Sequence, residues 1–375
     1  MMKQGERIAT SPGAGLFLVL TSLVAVLLLG CQRMQDERPR PGPDDERAAT
    51  VIRDCGSLDE SLVLERRVEL RKGGPDALLG DVDDVVMYGA GFLVLDIWVA
   101  KRVLVFAEDG DFMTMIGRHG EGPGEYFQPR AIAMNSRGEI VVENLNPPNY
   151  NIYTSSFAFS RMIPASTFDR ILAAVRLLPA SGGYFLYVPV RGGKRVVKVT
   201  RDFHIAGEFF DDEPGAQQAA VGGGDIAFSP LGTVWVGGIW RPTIGIFTTE
   251  GRFVGETGQH LLDKDFVPNA DLLKQAASGG IRQTLELMRD RQTIQRILRF
   301  GRLMLVGHFV YDGCQHFDVY DAWGDLLKEQ MRFCAKWQRI VASSEDVLIA
   351  ADTSSPEVCA SDSTLAILYL YRMAQ

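Results

Sequence analysis

Five histidines, five cysteines and a scatter of carboxylates and guanidiniums are the groups in this chain that could do chemistry. They do not form a catalytic signature. The histidines are His119, His204, His260, His308 and His316, and neither H-E-x-x-H nor G-x-S-x-G occurs. His308 and His316 flank the stretch VGHFVYDGCQHF with Cys314 between them. Two imidazoles and a thiolate could hold zinc there, although isolated hairpin histidines are more often solvated or hydrogen-bonded. The segment GRHGEGPGE (117–125) has the glycine density of a phosphate loop. A phosphate loop leads from a strand into a helix whose N-terminus cradles the anion, and here strand-like residues stand on both sides. The glycines more simply allow turns at positive φ. Aromatics at loops could serve recognition instead: Trp98, Tyr126, Tyr150, Trp240 and Trp323, with Trp240-Arg241-Pro242 at a hairpin tip. Trp also serves as packing.

The elements that would position any site come from a repeat. Strongly apolar strands recur as FLVLD (Phe92 to Asp96), EIVVE (Glu139 to Glu143), YFLYV (Tyr184 to Val188), TVWVG (Thr233 to Gly237), RLMLVG (Arg302 to Gly307) and DVLIAAD (Asp346 to Asp352). Their starts are 47, 45, 49, 69 and 44 residues apart. They are apolar on both faces, as a strand sandwiched between sheets must be. Each is followed by a strand, a polar or Gly-bearing turn, and a strand; Glu108-Asp109-Gly110 and Thr249-Glu250-Gly251 are two such turns. Four strands per unit at about 45 residues is a propeller blade. The spacing predicts an all-β, six-bladed β-propeller over residues 61–375. The last unit lacks a strand, and Ser61 to Gly73 (SLVLERRVELRKG) is expected to supply it, closing the ring. The wide spacing holds residues 263–296, rich in helix formers and broken at Gly279-Gly280, expected as a small helical insertion between blades four and five.

In a propeller the first strand of each blade lines the central channel. The expected channel-mouth residues are Asp83, Asp84, Arg130, Arg176, Asp225, Gln295 and Gln338. They could converge on a ligand, or simply plug the channel with charge pairs. Asp84 and Asp225 offer oxygens to an axial divalent cation, but the intervening arginines argue against a bare one. No cofactor is expected.

Composition bounds the partners. The net charge of −8 argues against nucleic acid. Ala14 to Gly30 is apolar apart from Thr21 and Ser22, follows Lys3 and Arg7, and ends in Leu28-Leu29-Gly30-Cys31. This resembles the lipobox of bacterial lipoproteins. The resemblance implies cleavage after Gly30, acylation of Cys31 and, with Gln32 next, an outer-membrane address. An uncleaved anchor helix is the alternative, at the short limit for a span. Without residues 1–30 the net charge becomes −9, since Lys3, Arg7 and Glu6 leave; the lipid, not electrostatics, would hold the membrane. Residues 31–60, with the run RPRPGPDDER, read as a flexible tether. Four cysteines remain outside Cys31, and Cys314–Cys334 with Cys55–Cys359 is the favoured pairing among three.

Met115 to Pro129 reads MIGRHGEGPGEYFQP. This resembles the inter-blade linker of NHL-like six-bladed propellers of bacterial lipoproteins, on Gly117, Gly120, Gly122, Pro123, Gly124, Glu125 and Tyr126. The resemblance implies an envelope-anchored protein that binds a ligand or a protein, peptide or glycan partner through one propeller face without catalysis. A metal-dependent lactonase- or lyase-like propeller and a structural scaffold are the rivals.

Overall fold

The computed structural model describes residues 43–74, 77–89, 91–168, 174–188, 194–211, 224–238, 243–258, 294–308 and 313–374. The expectations for the apolar leader, Cys31, Trp240, His260 and the helical insertion up to residue 293 lie outside them.

The strands form six antiparallel four-stranded sheets, five of them meanders in which sequence neighbours pair. Blade one is β2 (Asp84–Tyr88), β3 (Gly91–Asp96), β4 (Arg102–Ala107) and β5 (Phe112–Ile116). A short parallel ladder, β6 (Arg118–His119) with β7 (Glu125–Tyr126), bridges to blade two. Blade two is β8 (Pro129–Met134), β9 (Ile140–Leu145), β10 (Pro148–Tyr153) and β11 (Phe159–Pro164). Blade three is β12 (Arg176–Ala180), β13 (Gly183–Tyr187), β14 (Lys194–Thr200) and β15 (Ile205–Asp211). Blade four is β16 (Gly224–Phe228), β17 (Val234–Gly238), β18 (Ile244–Phe247) and β19 (Phe253–Thr257). Blade five is β20 (Ile294–Phe300), β21 (Leu303–His308), β22 (Gln315–Tyr320) and β23 (Leu326–Phe333).

Blade six is built from both ends of the chain. Its strands are β24 (Arg339–Ser344), β25 (Val347–Asp352), β26 (Thr364–Met373) and, outermost, β1 (Leu62–Arg71). β1 runs antiparallel to β26 from Leu62↔Met373 to Arg71↔Thr364. Val68 and Leu70 then pack against Phe92, Leu104 and Phe106 of blade one. The sheet edge left by the chain's end is covered, and blades six and one are joined in one step.

Every blade junction carries its own apolar cluster. Leu93 and Ile140 belong to the cluster between blades one and two. Tyr150 and Leu186 serve two and three, Phe209 and Val236 three and four, Trp235 and Tyr320 four and five, Phe317 and Ile340 five and six. The β3 and β25 strands are buried along their whole length because both faces meet a neighbouring blade.

Three expectations need correction. The segment 31–60 is not wholly an extended tether: α1 (Pro43–Asp54) is helical, and Ile52 and Leu58 are fully buried against Phe333 and Ile340 of blades five and six. The charge-dense run 38–47 masked the apolar positions Ala49 and Ile52, three residues apart on one helical face. The insertion does not reach Arg296, since β20 already begins at Ile294, which pairs with His308. Cys314–Cys334 is a disulfide, closing a sequence separation of 20 residues, which by chain entropy contributes about 3 kcal/mol. Cys55 and Cys359, in contrast, are free thiols. Cys55 packs with Leu62 and Met373 at the closing end of β26, whereas Cys359 ends α2 (Pro356–Cys359) before its opening end at Thr364. A ten-residue strand spans on the order of 30 Å, far beyond disulfide reach.

Candidate functional site

The opening of each first strand carries a charged residue followed at once by an apolar one: Asp84-Val85, Arg130-Ala131, Arg176-Leu177, Asp225-Ile226, Arg296-Ile297 and Arg339-Ile340. The apolar residue anchors the strand between blades, and the charged one is left at the channel mouth. Four of the six charged side chains reach one another across the channel. Arg176 of blade three donates through Nε to Asp225 Oδ1 of blade four at 3.0 Å, and its Nη1 lies 3.8 Å from Asp84 Oδ2 of blade one. Arg296 of blade five approaches the other oxygen of Asp84 at 3.8 Å and donates to the Asp83 carbonyl. Asp84 is therefore bracketed by guanidiniums from two non-adjacent blades, which only convergence on the axis permits. Asp225 Oδ2 also accepts from the Ile297 N–H at 2.9 Å, locking blade four to blade five.

Burial and mutual repulsion shape the ring's electrostatics. Burial works to lower the Arg176 pKa, but Asp225 and Asp84 outweigh it and raise it. For Arg296 burial, with the charge of Arg176, outweighs the opposing pull of Asp84 and Asp225 and brings the pKa down to about 10. Burial lowers Arg130 too, with the Glu143 carboxyl acting the other way. Arg130 makes no hydrogen bond or ion pair among the described residues. Arg339 leans outward, bonding to Asp81 at 3.1 Å and to the Val82 carbonyl.

Beneath the mouth the six first strands enclose a cavity of about 290 Å³. Its charged lining is Asp84, Arg176, Asp225, Arg296, Arg299 and Glu345. That volume is at the small end of ligand pockets, which run about 300–1,000 Å³.

The structure thus brings Asp84, Arg176 and Asp225 together as expected and leaves Arg130 within electrostatic reach of Arg176. Asp83 turns away: its carboxylate accepts from the Ile97 N–H at 2.7 Å, and burial raises its pKa. Gln295 and Gln338 are each one residue off the ring. Gln295 is the unpaired residue of a β-bulge, since Ile294 pairs His308 and Arg296 pairs Gly307. Gln338 closes a turn onto the Ala335 carbonyl, and its side chain accepts from the Tyr371 hydroxyl at 2.5 Å. It lines a separate groove with Cys334, Trp337 and Arg339. Arg296 and Arg339 were the residues missed. Their signal was present in the charged–apolar dipeptide common to all six units.

Other sequence candidates resolve differently. Zinc at His308, His316 and Cys314 has no thiolate to use, because Cys314 is oxidised. His308 Nε2 instead lies 2.9 Å from Asp318 Oδ2, both buried. No cluster of three potential ligands occurs among the described residues. Tyr126 and Tyr150 are core residues, not recognition aromatics. Trp98 is exposed at 63%, as is Trp337 at 46%, which the sequence reading passed over. The glycine-rich linker holds no open anion cradle. Gly117, Gly120 and Gly124 take positive φ, and the Glu125 carboxylate itself accepts the Gly122 N–H at 2.9 Å.

Comparison with known proteins agrees with the architecture. The sequence-family model DUF5128, a 6-bladed beta-propeller, matches residues 74–189, from just before blade one to the second strand of blade three. No curated protein sequence matches the chain. A candidate exported protein of Bacteroides fragilis superposes with a TM-score of 0.61 at 16% identity, covering 86% of this chain and 98% of its own. A DUF4221 family member from Bacteroides vulgatus superposes at 0.59 with 10% identity, covering 84% and 98%. The chain is a six-bladed β-propeller.

Proposed function

We propose that this protein is a bacterial envelope lipoprotein, held by acylated Cys31 on the outer membrane, that binds a ligand at the channel mouth without transforming it. The observation carrying the reading is Asp84 bracketed by Arg176 and Arg296 from blades three and five. Convergent charged groups over a small cavity are what a binding site needs. Resemblance to the NHL-like lipoprotein linker and the exported Bacteroides neighbour favour the same compartment. The lactonase- or lyase-like alternative requires oxygens free for a metal. Here Asp225 is already paired to Arg176, and guanidiniums crowd Asp84, a donor set hostile to a divalent cation.

The test uses the detergent-solubilised full chain, incubated with small molecules extracted from envelopes and weighed by native mass spectrometry. The wild type and an outer-surface control, Arg118→Ala, should retain the same species unchanged in mass. Arg130→Met, which removes a mouth charge that holds no internal bond, should lose it. Equal retention by Arg130→Met would overturn the site, and conversion of the retained species to a product would overturn the non-catalytic reading.

A further inference from the structure

The six ring positions carry four guanidiniums against two carboxylates, and the surplus is unevenly placed. Arg176 is compensated by Asp225, and Arg339 by Asp81. Among the described residues Arg296 has only Asp84, at 3.8 Å, and the Asp83 carbonyl. Arg130 has no hydrogen-bonding partner among the described residues.

Behind Arg130 lies a second anomaly. Glu143 on β9 stands opposite Ala131 and Tyr150, is fully buried, and neither of its carboxyl oxygens finds a hydrogen bond among the described residues. A buried carboxylate beside a free guanidinium ordinarily forms the strong bidentate pair. Here the two groups interact only through space, and burial pushes the Glu143 pKa up to about 8, which keeps it largely protonated at neutral pH. The nearest internal counter-ion therefore leaves Arg130 uncompensated. A partly buried cation with no partner is costly, and an external anion is the remaining way to satisfy it.

We infer that the channel mouth is an oxyanion site in which the Arg130 guanidinium, supported by the charge of Arg176, takes the carboxylate or phosphate of a small polar molecule whose remainder enters the axial cavity. This deepens the proposed binding function and rests on it. The planar fork of Arg suits both carboxylate and phosphate, so geometry does not choose between them. The cavity limits the ligand to a few heavy groups.

The experiment is calorimetric titration of the solubilised full chain with inorganic phosphate, with citrate and with glucose, at low ionic strength. Phosphate or citrate should bind and glucose should not; whichever anion binds more tightly identifies the head group. Arg130→Met should weaken that binding by roughly tenfold to a hundredfold, the worth of one charge-assisted hydrogen bond. Arg130→Lys should recover part of it, since charge survives and the fork does not. Folding of each variant is checked by its unfolding midpoint. Anion binding unaffected by Arg130→Met would overturn the inference. So would an envelope-derived species that is lost in Arg130→Met but carries no acidic group; that result would leave the binding-site reading standing. Loss of no species in that variant would remove the reading itself.

Discussion

Glu143 is a residue whose surroundings depart far from its ordinary chemistry. It sits in an interblade core with Arg130 as its nearest cation, and burial raises its pKa from 4.5 to about 8. Linkage gives the consequence its sign. Between those values the native state holds a proton that the unfolded chain has released, so stability must fall as pH rises. The contribution is complete below pH about 4.5 and lost above about 8. At about 1.4 kcal/mol per unit, the loss is on the order of 5 kcal/mol. Denaturant unfolding at pH 5 and pH 9 should show it, and Glu143→Gln should flatten the difference. A Glu143→Gln profile parallel to the wild type would mean that another group is responsible. Little of this was legible beforehand. Glu143 closes the strand EIVVE, where a charged residue reads as the wet end of an apolar run. Only the packing of blade two on blade three covers it.

At the scale of elements, β1 is the part on which closure depends. It is local in neither sequence nor fold: residues 62–71 pair with residues 364–373. Leu70 is fully buried, and Arg71 adds a 2.6 Å bond from Nε to Asp111 of blade one. Truncation through Gly73 should lower the thermal midpoint sharply and expose the β26 edge to self-association. In the full chain, Leu70→Ala should cost about 2–5 kcal/mol, the range for a buried Leu cavity. A truncated protein melting with the full chain would refute closure by this strand. The alternating Leu62, Leu64, Val68 and Leu70 announced a strand, and the short last unit announced the vacancy it fills. The helix α1 was hidden by the opposite circumstance. Its polar residues dominate the composition of the segment, and its apolar contacts exist only once blades five and six have formed.

For the whole molecule the governing relation is between the ring and its attachment. Six blades place the channel mouth on one face, and the expected lipid on Cys31 would hold that body at a membrane. Metabolic labelling with palmitate should mark the wild type and leave Cys31→Ser unmarked. The wild type should sediment with membranes, and the mature mass should correspond to a chain beginning at Cys31. A mature chain retaining residues 1–30 would replace the lipoprotein with an anchor helix.

The amino-acid order by itself determined how many blades there are, which strand is second in each, and which distant segment completes the sixth. These are properties of apolar periodicity and spacing, which are local and repeat six times. The tertiary structure alone decided which charges meet. A single bulged residue at Gln295 and a turn ending at Gln338 shift the inward-facing position by one, to Arg296 and Arg339. A strand alternates faces every residue, so a one-residue shift exchanges a buried for an axial side chain without altering the pattern from which the strand is read. Cys314 with Cys334, and Cys55 apart from Cys359, were settled the same way, by where the strand ends fall in space.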